Sequence, residues 1–371
     1  MRITDVKQYH LEYSLDGAYH PTWIPEYPQG THELELFEIE TDEGITGVTA
    51  SPSFAGGLDY EEALKYFLLG EDPYNVEKVL RKIEAFNLLG PRPWHIEVGL
   101  WDIIGKDTGK PIYKLLGGEG SRVKAYASTG EIQGLEERVE YVEERVDEGF
   151  EAVKLRFGSE NLEDDLRVAR GIRDEYPDLN IMVDANMGWR VRVFAEGNRW
   201  STGDALRAAR ELEDMGNVVW LEEPLDRHNY RGLAELRKKT DIPIAGGEFN
   251  NGIHHFREYI EYGSLDVLQP DVALATGVSG AKKVAGMAET NGLEFAPHTW
   301  TNGVGFTANL HVMGATHARW CEYPIEPPWT PEARDFMLSE PIEVEDGWVE
   351  PPSSPGLGVE IDWDAVHEHA E

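Results

Sequence analysis

Ala152-Val153-Lys154-Leu155-Arg156-Phe157 and Ile181-Met182-Val183-Asp184-Ala185 are apolar runs that carry charged residues toward their C-terminal ends. Each has the length of a buried strand and is too short for a core helix. Comparable runs occupy 124–128, 218–222, 242–246, 267–270, 293–297 and 319–323. Their starts lie about 24–29 residues apart, with a wider gap of about 37 before Val218. That is the period of a strand–turn–helix unit, and eight such strands predict a closed parallel barrel. An open doubly wound sheet is the alternative that periodicity leaves. The wide gap holds 189–200, rich in Arg, Trp and Gly, which reads as an insertion after the third strand.

Before residue 122 the chain reads as α+β. Strand-like text at 2–13 and 33–41 flanks a polar, aromatic stretch, and Thr41-Asp42-Glu43-Gly44 signals a turn into a further strand from Ile45. Helical spacing follows through 59–69, 75–86 and 94–108, where Ile96, Leu100, Ile103 and Ile104 share a face. Beyond about 342 the text becomes strand-like and Pro-rich again. The organisation expected is therefore 1–121, then a barrel over 122–341, then a segment 342–371.

The 371 residues include 69 acidic and 34 basic side chains, a formal net charge of −35. Such a charge repels nucleic acid and anionic membrane surfaces alike, so neither is an expected partner. Acid spread along the chain, with Arg outnumbering Lys, suits a salt-rich cytosol in which counter-ions screen self-repulsion. The one cysteine, Cys321, has no partner for an internal disulfide. No apolar signal core follows Met1, and the longest apolar runs are strand-sized. A cytoplasmic, soluble protein is expected.

In a barrel of this kind the C-terminal strand ends face the active-site mouth. Here they read Lys154 and Arg156, Asp184 and Asn186, Glu222 and Glu223, Glu248, Asp271, His298 and Glu322. A carboxylate at one strand end commonly caps a helix or is merely solvated, but seven strands in phase are poorly explained that way. Asp184, Glu222 and Glu248 come from successive strands, and three converging carboxylates need a cation between them. All-oxygen ligation selects Mg²⁺, with Mn²⁺ as the substitute. Alternation favours Glu222 over Glu223 as the inward residue.

Lys154-Leu155-Arg156, Val183-Asp184-Ala185-Asn186, Trp220-Leu221-Glu222-Glu223-Pro224, Gly247-Glu248, Gln269-Pro270-Asp271 and Pro297-His298 together resemble the enolase superfamily, in its mandelate racemase / muconate lactonizing enzyme branch. The Asp271/His298 combination is similar to the mandelate racemase subgroup. The resemblance spans essentially the whole chain. It implies an α/β fold in which a (β/α)7β TIM-type barrel carries an N-terminal α+β capping domain, to which the C-terminal segment returns. It also implies abstraction of the proton α to a carboxylate by His298, oriented by Asp271, with Lys154 beside the carboxylate oxygens. Glu322 is implied to donate a hydrogen bond, which requires a protonated carboxyl. Asn186 is implied to contact a substrate hydroxyl, and the protein to be a homo-oligomer.

Arg156 departs from that pattern, which has a lysine base there. Arginine is a poor base near neutrality. Elimination of water needs one base only, so dehydration of a sugar acid, an aldonate or aldarate, to a 2-keto-3-deoxy acid is the expected reaction. A racemase or epimerase of a hydroxy acid is the alternative, and a non-catalytic carboxylate-binding relative is a third. His20, Tyr19 and Trp23 are expected in the capping loop, either on the substrate's distal end or packed on themselves. Trp300 is a candidate pocket wall or a core residue. Trp189, Arg190 and Arg192 are candidates to close the site or to make a subunit contact. His254 and His255 read as structural, and Gly117-Gly118-Glu119-Gly120 as a linker turn.

Overall fold

The computed structural model describes residues 1–24, 26–53, 61–89, 92–188 and 199–370. Strands β1 (Ile3–Tyr19), β2 (Gln29–Thr41) and β3 (Thr46–Pro52) form an antiparallel sheet in the order β1-β2-β3. β1 runs further than its alternation predicts. Pairing continues past Ser14↔Thr31, through an irregularity, to Tyr19↔Gln29, so the polar stretch is strand as far as Tyr19, where a loop was expected. The partner ladder supplies backbone hydrogen bonds that side-chain patterning does not reveal.

Helix Glu61–Leu68 falls within the expected 59–69, whose first two residues lie outside the described residues. In Val76–Phe86 the buried positions are Val76, Val79, Leu80, Ile83 and Phe86, one face of a 3.6-residue period. Helix Ile96–Thr108 lies tightly on β3, since a Cβ on Gly47 would stand 2.2 Å from the Gly99 carbonyl oxygen. The run 117–120 is a turn: the N–H groups of Gly118 and Gly120 donate to the carbonyls of Tyr113 and Gly314.

Eight parallel strands follow: β4 (Val123–Ser128), β5 (Ala152–Arg156), β6 (Asn180–Asp184), β7 (Val218–Glu222), β8 (Ile244–Gly246), β9 (Val267–Leu268), β10 (Glu294–Phe295) and β11 (Trp320–Pro324). Among the described residues, seven helices alternate with them: Leu135–Asp147, Leu162–Glu175, Thr202–Met215, Tyr230–Arg237, Ile253–Tyr262, Gly277–Thr290 and Gly303–Met313. Hydrogen-bonded neighbours run β10-β9-β8-β7-β6-β5-β4-β11. Thr299 links the two ends of this order, its hydroxyl donating to the Glu322 carbonyl at 2.6 Å and its N–H to the Glu322 carboxylate at 3.1 Å. β8, β9 and β10 are shorter than expected because Pro243, Pro270 and Pro297 cannot donate to a ladder.

The insertion 189–200, with Trp189, Arg190 and Arg192, lies outside the described residues except for its last two positions. After β11, β12 (Trp348–Val349) pairs antiparallel with the start of β4. The last helix, Trp363–His369, packs on β1 through Tyr9 against Trp363, with a bridge Leu11↔Ala370. Among the described residues, no helix is long and apolar enough to cross a membrane.

Candidate active site

One layer of the barrel interior consists of Tyr126, Ala152, Met182, Trp220, Ala245, Val267, Ala296 and Trp320. Side chains of a strand return to the same face every second residue. Two residues beyond members of that layer stand Ser128, Lys154, Asp184, Glu222, His298 and Glu322, all buried. The pleat alone therefore raises a ring of polar groups above an apolar floor.

Asp184, Glu222 and Glu248 bring carboxylate oxygens within 4.8 Å of one another, and all three are buried. Burial pushes Glu222 up to about 7, Lys154 opposing and the other carboxylates reinforcing the rise. Glu248 is raised by burial as well, against the lowering effect of His298. Three mutually repelling oxygen donors with no nitrogen or sulfur fit a hard divalent cation. Glu223 is also buried, with both oxygens lacking hydrogen-bond partners. Its φ of 46° turns it off the strand's alternation. It lies so close to Gly188 that a Cβ there would meet its Oε1 at 2.3 Å.

Lys154 is fully buried and pairs with Glu322, with Glu222 at 3.4 Å and with Asp184 at 3.6 Å. Burial would lower its pKa, but Glu222 and Glu322 hold it above its ordinary value. Arg156 is ion-paired to Asp184, donates to the Thr129 carbonyl and lies 3.4 Å from the Asn186 Oδ1. Its burial is likewise outweighed by Asp184, which holds the guanidinium above its usual pKa.

Glu322 does not match the protonated carboxyl expected of it. It accepts from the Ser128 hydroxyl at 2.7 Å and the Thr299 N–H at 3.1 Å, and it pairs with Lys154. Burial alone would raise its pKa, but the charges of Lys154, His298 and Arg156 hold it well below the carboxylate range. The Thr299 N–H and the Lys154 ammonium favour the anion, while the Ser128 hydroxyl serves either form.

On the other side of the mouth, His298 Nδ1 is 2.9 Å from Asp271 Oδ2, and its Nε2 is 3.6 Å from Glu248. The other Asp271 oxygen accepts from the N–H groups of Ala273 and Leu274, which locks the carboxylate at the start of the turn Val272–Thr276. Burial lowers the imidazole, but Glu248, Glu322 and Asp271 outweigh it and push it up to about 9.

A cavity of about 630 Å³ opens over these groups. Arg156, Asn186, Glu248 and His298 line its floor, and Trp23, Trp300 and Trp329 its walls. Trp23 and Trp300 both face the Arg156 guanidinium, at 5.4 and 5.1 Å from their ring centres. His20 stands outside the cavity: it is exposed, and its backbone N–H donates to Glu131. Tyr19 is buried behind the wall, against Trp23, Trp300 and Trp329. Sequence reasoning missed Ser128 and Thr299, which flank strand ends it had marked. It also missed Trp329 and Glu33 in the cavity wall, which no motif announces.

Residues 137–365 match the family described as "Enolase C-terminal domain-like", and residues 17–117 match "Mandelate racemase / muconate lactonizing enzyme, N-terminal domain". The chain is 32% identical to an arabinonate dehydratase of Saccharolobus solfataricus, over 97% of its own length and 96% of the relative. It is also 32% identical to a D-galactarolactone cycloisomerase of Agrobacterium fabrum, over 99% and 98%. The L-talarate dehydratase of Polaromonas sp. JS666, solved with Mg and L-glucarate, superposes with a TM-score of 0.85 at 26% identity, covering 100% of this chain and 97% of that one. With its buried carboxylate triad, its Asp271–His298 pair and its capped barrel, the chain belongs to the mandelate racemase / muconate lactonizing enzyme family of the enolase superfamily.

Proposed function

We propose that this protein dehydrates a sugar acid to a 2-keto-3-deoxy acid, using Mg²⁺ held by Asp184, Glu222 and Glu248. The observation that carries the reading is an asymmetry. His298 with Asp271 makes one competent base, while the opposite position is an arginine locked to Asp184. When bound, Mg²⁺ supplies Lewis acidity to the substrate carboxylate, and Mn²⁺ substitutes for it in part.

Asp271 accepts the Nδ1–H of His298. A cation held by Asp184, Glu222 and Glu248 would offset the carboxylate charge that raises this imidazole, so that the neutral ring turns Nε2 toward the cavity as proton acceptor. His298 takes the α-proton, and the C–H electron pair becomes the carbon–carbon double bond of an enediolate. That pair then expels the β-hydroxyl, which leaves as water with the proton returned by His298, and the resulting enol tautomerises to the keto acid. Lys154 adds positive charge beside the carboxylate oxygens as they become more negative. Glu322 fixes Lys154 as its anionic partner. Asn186 contacts a substrate hydroxyl, with Trp23 and Trp300 as walls. Arg156 orders Asp184 and is no second base, which disfavours racemisation. Residues 1–121 cap the site, 122–341 carry the chemistry, and 342–371 return to the cap. The protein works in the cytosol as a homo-oligomer.

A second reading, isomerisation of a sugar-acid lactone, uses the same single base and is supported by the cycloisomerase relative. Incubating the Mg²⁺-loaded protein with aldonic acids, aldaric acids and their lactones separates the two. Keto acid from an open-chain acid supports dehydration. Product from lactones alone supports cycloisomerisation, and α-deuterium exchange without either product overturns both.

A further inference from the structure

The cavity wall contributed by the N-terminal sheet includes Gln29, Thr31, His32 and Glu33. Among the described residues that line the cavity, Arg156 is the one Lys or Arg, and it is committed to Asp184. His32 is buried with Nδ1 against the Ala333 carbonyl at 2.9 Å, and burial pushes it down to about 4, so it is uncharged at neutral pH. Apart from His298, which is committed to Asp271 and to the α-proton, no described cation of this lining thus stands ready for a second substrate carboxylate. Glu33 adds an anion to this wall, half-buried, with the Thr31 hydroxyl 3.4 Å from its carboxylate.

Trp329 supplies a second, independent observation. It lines the cavity at 6% exposure, and its indole N–H has no hydrogen-bond partner. A buried donor without an acceptor is costly, and a neutral hydroxyl oxygen beside it would satisfy it. A hydroxyl can also donate to Glu33, whereas a carboxylate there would face like charge.

Resting on the dehydratase reading, we infer that the substrate is a monocarboxylic sugar acid whose uncharged hydroxylated tail is read by Trp329 and Glu33. Aldonates are the favoured class, and aldarates, which end in a second carboxylate, are discriminated against.

Calorimetric titration of the Mg²⁺-loaded full chain with matched aldonates and aldarates, differing only in oxidation of the far carbon, tests this. The aldonate should bind at least about tenfold more tightly. Glu33→Gln should narrow that ratio, and Trp329→Phe should weaken the aldonate by up to about tenfold while leaving the aldarate unchanged. A thermal midpoint is recorded for each variant. If Trp329→Phe unfolds, the wild-type ratio and Glu33→Gln decide the matter. Equal or tighter binding of the aldarate, or a ratio that Glu33→Gln does not move, overturns the inference. Keto acid is assayed in parallel. Its absence from every acid overturns the dehydratase reading, while the binding ratio still judges this one.

Discussion

Arg156 is ion-paired to Asp184, directly across the β5–β6 ladder, so the arginine at the end of β5 is tied to the first of the three clustered carboxylates. The pair is buried at both ends, where breaking one partner is costly. Arg156→Lys keeps a charge but loses the planar fork that also reaches Thr129 and Asn186. A loss in kcat/KM of at least about tenfold is expected, with weaker Mg²⁺ binding by calorimetry. Unchanged Mg²⁺ affinity would mean that Arg156 does not order Asp184.

Asp271→Asn separates orientation from folding. Asparagine can still accept from Ala273 and Leu274 through one oxygen, but it presents an amide to His298 and inverts that hydrogen bond. The variant should keep its thermal midpoint and lose activity by about 10³-fold; His298→Asn should lose at least as much, together with α-proton exchange in D₂O. Exchange surviving His298→Asn would place the base on the β5 side.

Chelation should abolish turnover and lower the thermal midpoint. A cation that binds only the folded state at about 100 times its Kd contributes about 2.7 kcal/mol. Mg²⁺ should restore both, and Mn²⁺ should restore activity in part. Full turnover in protein shown metal-free by elemental analysis would contradict the role given to Asp184, Glu222 and Glu248.

His311 gives a pH test remote from the site. Its Nε2 faces the Leu357 carbonyl at 2.8 Å, while Nδ1 accepts from the Tyr113 N–H at 3.3 Å, an arrangement only the neutral ring satisfies. Burial pushes it down to about 4 from an ordinary 6.5. The unfolded chain therefore takes up this proton first, so the contribution is whole above pH 6.5 and is lost as pH falls toward 4. At pH 5 the loss is about 2 kcal/mol. His311→Gln should gain about that much relative to wild type between pH 7 and pH 5 in denaturant titrations. A difference independent of pH would show that the ring is not held neutral.

With a net charge of −35, self-repulsion should weaken the fold in dilute buffer. The Debye length shrinks from about 10 Å at 0.1 M salt to about 3 Å at 1 M. The thermal midpoint should rise between about 0.1 M and 3 M KCl, a range reached by simple titration. A flat response would remove the salt-rich cytosol from the account.

The ring of strand ends was legible because a barrel strand exposes its chemistry at a fixed period. Once Ile181–Asp184 is a strand, Asp184 follows Met182 onto the interior face. What sequence could not supply was the charge state of Glu322. That depends on Lys154, far away in the chain, and on His298, one strand–helix unit earlier, which meet it only through the closed sheet. The extension of β1 was hidden for a similar reason, since its last pair, Tyr19↔Gln29, is made by backbone and by a partner whose own start was placed too late. Trp329 sits in the loop beyond β11, where neither period nor motif marks a residue as lining a cavity.

The contact of helix Trp363–His369 with β1 ties the order of synthesis to the order of assembly. Tyr9 and Tyr13 leave the ribosome hundreds of residues before their covers, Trp363 and His369. Until then the outer strand of the first sheet presents an aromatic row and an uncovered edge, the kind of surface to which other chains adhere. A ribosome that stalls or terminates shortly before residue 363 thus releases a chain that carries every residue of the candidate site but leaves β1 bare.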